Sequence, residues 1–122
     1  MNRRIIVLDK SPKVAKLVGL VTKDLPKRKV EGYTSLSSAK ETPGDPLRLD
    51  IRVIVIGDVV EAEKAEARKW AQWLYKEGYT VIWFSESKPP LAEITHVLKT
   101  APIIDALEEL GALIKQALKT KK

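Results

Sequence analysis

Two aspartates stand where a carboxylate can do chemistry. Asp9 follows the apolar run Ile5-Ile6-Val7-Leu8, and Asp58 follows Val53-Ile54-Val55-Ile56-Gly57. Each run stops abruptly at its acid. That is the pattern of a parallel strand delivering a side chain to the carboxyl edge of a sheet, where α/β folds place their sites. Two converging carboxylates can hold a divalent cation. One of them can then attack phosphorus while the cation neutralises the phosphoryl oxygens. Such a centre calls for a further acid next to Asp9, and Lys10 stands there instead. An ammonium removes a ligand and sets like charge beside the metal. Lys10 can pair with Asp9 or Asp58 and fill the metal's place, or it can point to solvent. The acids also have a plainer reading, as caps of the turns or helices that follow them.

The elements that must position these acids alternate in type. A first strand is expected at residues 4–8. Ser11-Pro12 then supplies an N-cap and a first-turn proline. The helix that follows carries Val14, Leu17, Val18, Val21 and Leu25 at helical spacing and ends at Pro26. Residues 29–34 read as a second strand, with Ser37 or Ser38 capping a short helix to about Glu41. Residues 42–50 hold two prolines and a glycine and read as a loop. Residues 51–56 form a central strand. A helix over 61–77 turns Ala67, Trp70, Ala71 and Leu74 inward, and Gly78 closes it. A fourth strand over 79–84 ends at Ser85. Pro89-Pro90 leaves only a turn at 91–94, so the fourth helix is shortened or replaced by a loop. Residues 96–100 make a short fifth strand. Asp105-Ala106-Leu107-Glu108 has the capping-box pattern and opens the last helix, with Leu107, Leu110, Ile114 and Leu118 as its stripe.

This alternation predicts an α/β fold, a doubly wound five-stranded parallel sheet of flavodoxin-like order 2-1-3-4-5. That order sets strands one and three side by side, so Asp9 and Asp58 should face one cleft. The 122 residues suit a single domain, with a short basic tail over 119–122.

Over nearly its whole length the chain resembles the response-regulator receiver family, the CheY-like domains. Leu8-Asp9-Lys10-Ser11-Pro12 looks like the family's first acidic turn, usually Val-Asp-Asp-Ser-Pro. Val53–Asp58 resembles the third strand and its phosphoacceptor, and Val81–Ser85 the fourth strand with its switch hydroxyl. Ala106–Leu110 is similar to the start of the last helix. The resemblance implies that Asp9 is the pocket acid, Asp58 the phosphoacceptor position and Ser85 the switch-like hydroxyl. The family's lysine falls on Lys99 if one gap is allowed, and on Ala101 if none is. The departures are Lys10 at the second metal-binding acid, Val59-Val60-Glu61 after the phosphoacceptor, and the missing fourth helix. They resemble the pseudo-receivers, which act as protein-binding modules without phosphotransfer.

Composition narrows the classes further. The formal net charge is +6, and the chain has no cysteine, which excludes disulfides, thiolate metal sites and thiol catalysis. Arg3, Arg4, Lys10, Lys13, Lys16, Lys23, Lys27, Arg28 and Lys29 crowd the first thirty residues against Asp9 and Asp24. Such a patch can attract nucleic acid, but no base-reading motif accompanies it, so only weak and non-specific binding is expected. No run is long enough for a membrane span or a signal-peptide core, which gives the expectation of a cytoplasmic protein. Asn2, Gln72 and Gln116 are the only amides, a hint of a thermophilic source. Glycine-rich phosphate loops and a nucleophile elbow are absent.

The leading expectation is a non-enzymatic receiver-like regulatory domain, without metal or cofactor, working through protein–protein contacts in signal transduction. A second reading keeps a phosphorylatable receiver using Asp58 with Asp9, Ser85 and Lys99. A third is a nucleic-acid-associated protein using the basic first third. The wide apolar arc of the last helix, including Ile103, Leu107, Leu110 and Leu113, suggests an interface with a partner or a second copy. His96 has no neighbouring ligand set. Trp70 and Trp83 read as core, and Trp73 as rim.

Overall fold

A computed structural model describes residues 3–25, 28–41, 51–99 and 103–120. The expected loop at 42–50, the helix-ending Pro26, and Thr100, Ala101 and Pro102 lie outside the described residues. The elements run β1 (Arg3–Leu8), α1 (Pro12–Val21), β2 (Arg28–Tyr33), α2 (Leu36–Lys40), β3 (Ile51–Ile56), a 3-10 turn (Glu61–Glu63), α3 (Lys64–Lys76), β4 (Val81–Ser85), β5 (Thr95–Leu98) and α4 (Ile103–Thr120). All strands are parallel, in the order β2-β1-β3-β4-β5. This is the doubly wound sheet that the alternation predicts.

Period-two alternation divides the strands between two cores. On one face Ile6, Leu8, Ile54, Ile56 and Trp83 meet α2 and α3 through Leu36, Ala39, Ala67, Trp70 and Leu74. On the other, Ile5, Val7, Val53, Val55, Ile82 and Phe84 meet α1 and α4 through Val14, Val18, Leu107, Leu110 and Ile114. The apolar run Val53–Ile56 of β3 follows from burial on both faces.

Local chemistry corrects several boundaries. Helix α1 stops at Val21 instead of running to Pro26. Thr22 Oγ1 returns to the Val18 carbonyl at 2.8 Å. The Arg28 guanidinium then takes the Thr22 and Gly19 carbonyls at 2.7 and 2.9 Å. A cation at that end satisfies the last carbonyls and suits the helix dipole. Helix α2 is capped by Ser35, which accepts the Ser38 N–H, and not by Ser37 or Ser38. Helix α4 begins at Ile103, so Asp105 lies inside its first turn and is not an N-cap. Its carboxylate still complements the dipole there.

No helix forms between β4 and β5, in accord with Pro89-Pro90. The consequence for the last helix differs from the expectation. Leu107 and Leu110 are buried, Ile103 and Leu113 are half-buried, and all belong to the α1/α4 core. The uncovered region lies on the opposite face, beside α3, where Ile94 is buried and Leu91 packs against the same cluster. Leu107 and Leu110 are therefore core residues and not an interface. On α4 the exposed large apolar side chain is Ile104, at 62%.

Candidate functional site

The site sits at the carboxyl ends of β1, β3, β4 and β5. Residues after β1 and β3 are joined by main-chain bonds, Gly57 N–H to the Leu8 carbonyl and Lys10 N–H to the Asp58 carbonyl, both 2.7 Å. This stitching brings Asp9 and Asp58 together as the strand order requires. Asp9 is buried, at 2% exposure. Its Oδ1 accepts the Ser11 N–H at 2.8 Å and its Oδ2 the Asp58 N–H at 3.0 Å. The capping reading of Asp9 is thus met at Oδ1, while Oδ2 ties it to the end of β3. Gly57 is obligatory here, because a Cβ at that position would collide with the Asp9 carboxylate.

Lys99, just past β5, closes the site. Its Nζ lies 3.0 Å from Asp58 Oδ2 and 3.3 Å from Asp9 Oδ2. The gapped reading of the chain is the one that reaches the pocket, while Ala101 falls outside the described residues. Ser85 Oγ donates to Asp58 Oδ1 at 2.9 Å and accepts the Ser87 N–H at 3.2 Å. Ser85 Oγ thus ties Asp58 to the turn that follows β4. His96 Nε2 meets the Ser85 carbonyl at 2.8 Å, a tie between neighbouring strands.

Burial of Asp58 opposes its ionisation. The hydrogen bonds from Lys99 and Ser85, with the charges of Lys99 and Lys10, outweigh that and hold its carboxyl below the usual range. Burial likewise works against charge on Lys99, but its contacts with Asp58 and Asp9 hold the ammonium above its ordinary value. Both groups are ionised at neutral pH. Lys10 is exposed and makes neither of the ion pairs available to it. The cation between the carboxylates is Lys99, so the Lys10 side chain acts on Asp58 only through its charge.

The resemblance read from the sequence implies a divalent cation at this place, and the donors do not fit one. Both Asp9 oxygens are engaged by main-chain N–H groups, and Lys99 takes Oδ2 as well. The adjoining acid that would complete a ligand set is Lys10. Among the described residues no three His, Cys, Asp or Glu side chains converge on a common point.

Beside Asp58 a cleft of about 270 Å³ opens between α3 and the segment after β4. Lys64, Ala67, Arg68, Trp83, Glu86 and Ser87 line it with Gly57, Asp58, Val59 and Ser85. The sequence reading missed this feature. Lys64 and Arg68 share a helix face by their spacing, but the wall opposite comes from the end of β4 and residues 85–87, which no helix follows. Of the basic first third, Arg4 pairs with Glu31 at 2.6 Å and Arg28 caps α1, so neither contributes an open charge. Lys13, Lys16, Lys23 and Lys29 are exposed.

Three layers, this strand order and two acids at the switch point define the receiver fold. The chain is similar along its whole length to the response regulator domain of Thermotoga maritima CheB, with a TM-score of 0.68, 19% sequence identity and 100% of each chain covered. No protein-family model and no curated protein matches it. Among the described residues no helix is long and apolar enough to cross a membrane.

Proposed function

We propose that the chain is a receiver-fold regulatory module whose phosphotransfer centre has become a fixed ion-pair cluster, and that it acts through protein contacts. The observation that carries this reading is the charge arrangement at the acids. Lys10 supplies a cation where the resemblance calls for a metal-binding acid, and Lys99 already bridges Asp9 and Asp58. Without a metal to neutralise the phosphoryl oxygens, attack by Asp58 lacks its main electrostatic support.

The test is intact-mass spectrometry after incubation with magnesium and a small acyl-phosphate donor. The expected result is an unchanged mass. A stoichiometric, acid-labile adduct on Asp58 would overturn the reading. It would favour a phosphorylatable receiver, for which the contacts of Asp58 with Ser85 and Lys99 already provide a frame. Lys10→Asp restores the missing ligand type and should raise magnesium affinity, measured by calorimetry.

A further inference from the structure

The cleft beside α3 exists because no helix crosses from β4 to β5, and the geometry points to it as a binding site for a small aromatic anion. That means a single planar ring carrying a carboxylate or phosphate group. The volume, about 270 Å³, falls just below the range of about 300–1,000 Å³ that takes drug-sized ligands. One substituted ring suits it better than a larger molecule.

The lining selects the chemistry. Trp83, Val59 and Ala67 form an apolar wall, so a flat hydrophobic body gains contact there. Lys64 and Arg68 stand one helical turn apart on the flank of α3 and both reach the cleft. Arg68 is held before any ligand arrives. Its guanidinium lies 5.7 Å from the Trp83 ring centroid, and Nη1 donates to the Lys88 carbonyl at 2.8 Å. A guanidinium has five N–H donors, so this anchoring leaves donors for an anion at little ordering cost. The Ser87 hydroxyl adds a polar contact at the rim.

The opposing charges are placed to interfere little. Asp58 is matched by Lys99 at 3.0 Å. Glu86 is exposed, and Glu61 pairs with Lys64 on the solvent side at 3.1 Å. Lys10 adds positive potential near Asp58. A ligand here would give the proposed module a non-covalent input. Binding itself does not depend on that reading, because it requires nothing of Asp58 as a nucleophile.

Trp83 reports on occupancy, since its indole N–H donates to the Ser87 carbonyl at 3.0 Å. The full chain is titrated with benzoate, with phenyl phosphate and with ring-free inorganic phosphate, and the tryptophan indole signals are followed by NMR. Benzoate and phenyl phosphate should shift the Trp83 signal saturably while Trp70 and Trp73 stay still. Inorganic phosphate should bind at least about tenfold more weakly, for want of the ring contact. Lys64→Gln and Arg68→Gln should each weaken phenyl phosphate roughly fivefold. Lys64 is exposed, so its variant should melt as the parent does. No saturable shift would overturn the proposal. So would binding that neither substitution weakens, or inorganic phosphate binding as tightly as the arenes. A phosphoryl adduct in the mass experiment would leave this result standing, so the two proposals fail separately.

Discussion

Lys99 is the residue on which the acidic cluster depends. Its removal leaves Asp9 buried with no neutralising cation, and breaking a buried pair in this way costs about 3 kcal/mol. Lys99→Ala should lose about that much in urea unfolding. The pH limbs follow from the directions of the shifts. The Asp58 carboxyl sits below its ordinary 3.8, so its contribution is present above that value and fades as pH falls through the lowered one. Lys99 sits above its ordinary 10.5, so its contribution is present below that value and fades as pH rises through the raised one. The parent should therefore keep a broad neutral plateau, and Lys99→Ala should flatten both limbs. Gly57→Ala should cost about 2 kcal/mol, because the new methyl group displaces the Asp9 carboxylate from its two N–H donors. Asp9 and Asp58 are legible in the sequence, since strand-end acids plus strand order are enough to pair them. Lys99 was legible only as an alternative. Hydrophobic periodicity marks strands and helices, and it carries no signal for a two-residue gap between β5 and α4.

At the scale of elements, the divergence between reading and structure has one physical source: a stripe tells which residues are apolar, not which face of the sheet they meet. The wide arc of α4 looked like unfilled surface. In fact Leu107 and Leu110 pack with Phe84 and Val97 on the face opposite the vacant helix position. Leu110→Glu should abolish cooperative folding, seen by circular dichroism, because it buries a charge with no partner. Ile104 remains open at 62%, and Leu98 near it in the chain is open at 50%. If the module contacts a second copy through this end, Ile104→Glu should stay folded and shift sedimentation toward monomer. An unchanged distribution would remove α4 from consideration as the contact surface. The end of α1 was misread for a related reason. Val21 and Leu25 continue the helical spacing, but the decisive groups are Thr22 and Arg28, and the latter comes from the next strand.

For the molecule as a whole, the absent helix changes which parts support one another. Helix α3 keeps its core through Ala67, Trp70, Ala71 and Leu74, and the positive φ of Gly78, 96°, turns the chain sharply after it. Beyond α3 the face is covered, among the described residues, by a loop anchored through Ile94, Leu91 and polar ties to main-chain carbonyls. Trp83 reaches Ser87, Arg68 reaches Lys88 and Gln72 reaches Pro90. Removing one of those ties is a test of the whole arrangement. Arg68→Ala should loosen the segment after β4 and lower the melting temperature by a few degrees, for a loss of about 1 kcal/mol. The fold class was legible because it rests on alternation alone. The cleft was not, because it is a space between elements and no run of residues encodes it.

β5 is a short strand, Thr95–Leu98, paired among the described residues to β4 alone and lying at the edge of the sheet. In the language of native-state exchange, such a strand belongs to the least protected unit of the domain. The amide of Val97 should therefore trade its proton for deuterium well before those of Ile54 and Val55 in the centre. Because Lys99 hangs from the end of that strand, each such opening also withdraws the ammonium from Asp9 and Asp58. The acids then share their pocket without that counter-charge, so repulsion between them opposes the opening and draws the strand back. With the intrinsic base catalysis of exchange divided out, raising the pH across the alkaline limb should lower the protection of β5 before that of β1 or β3.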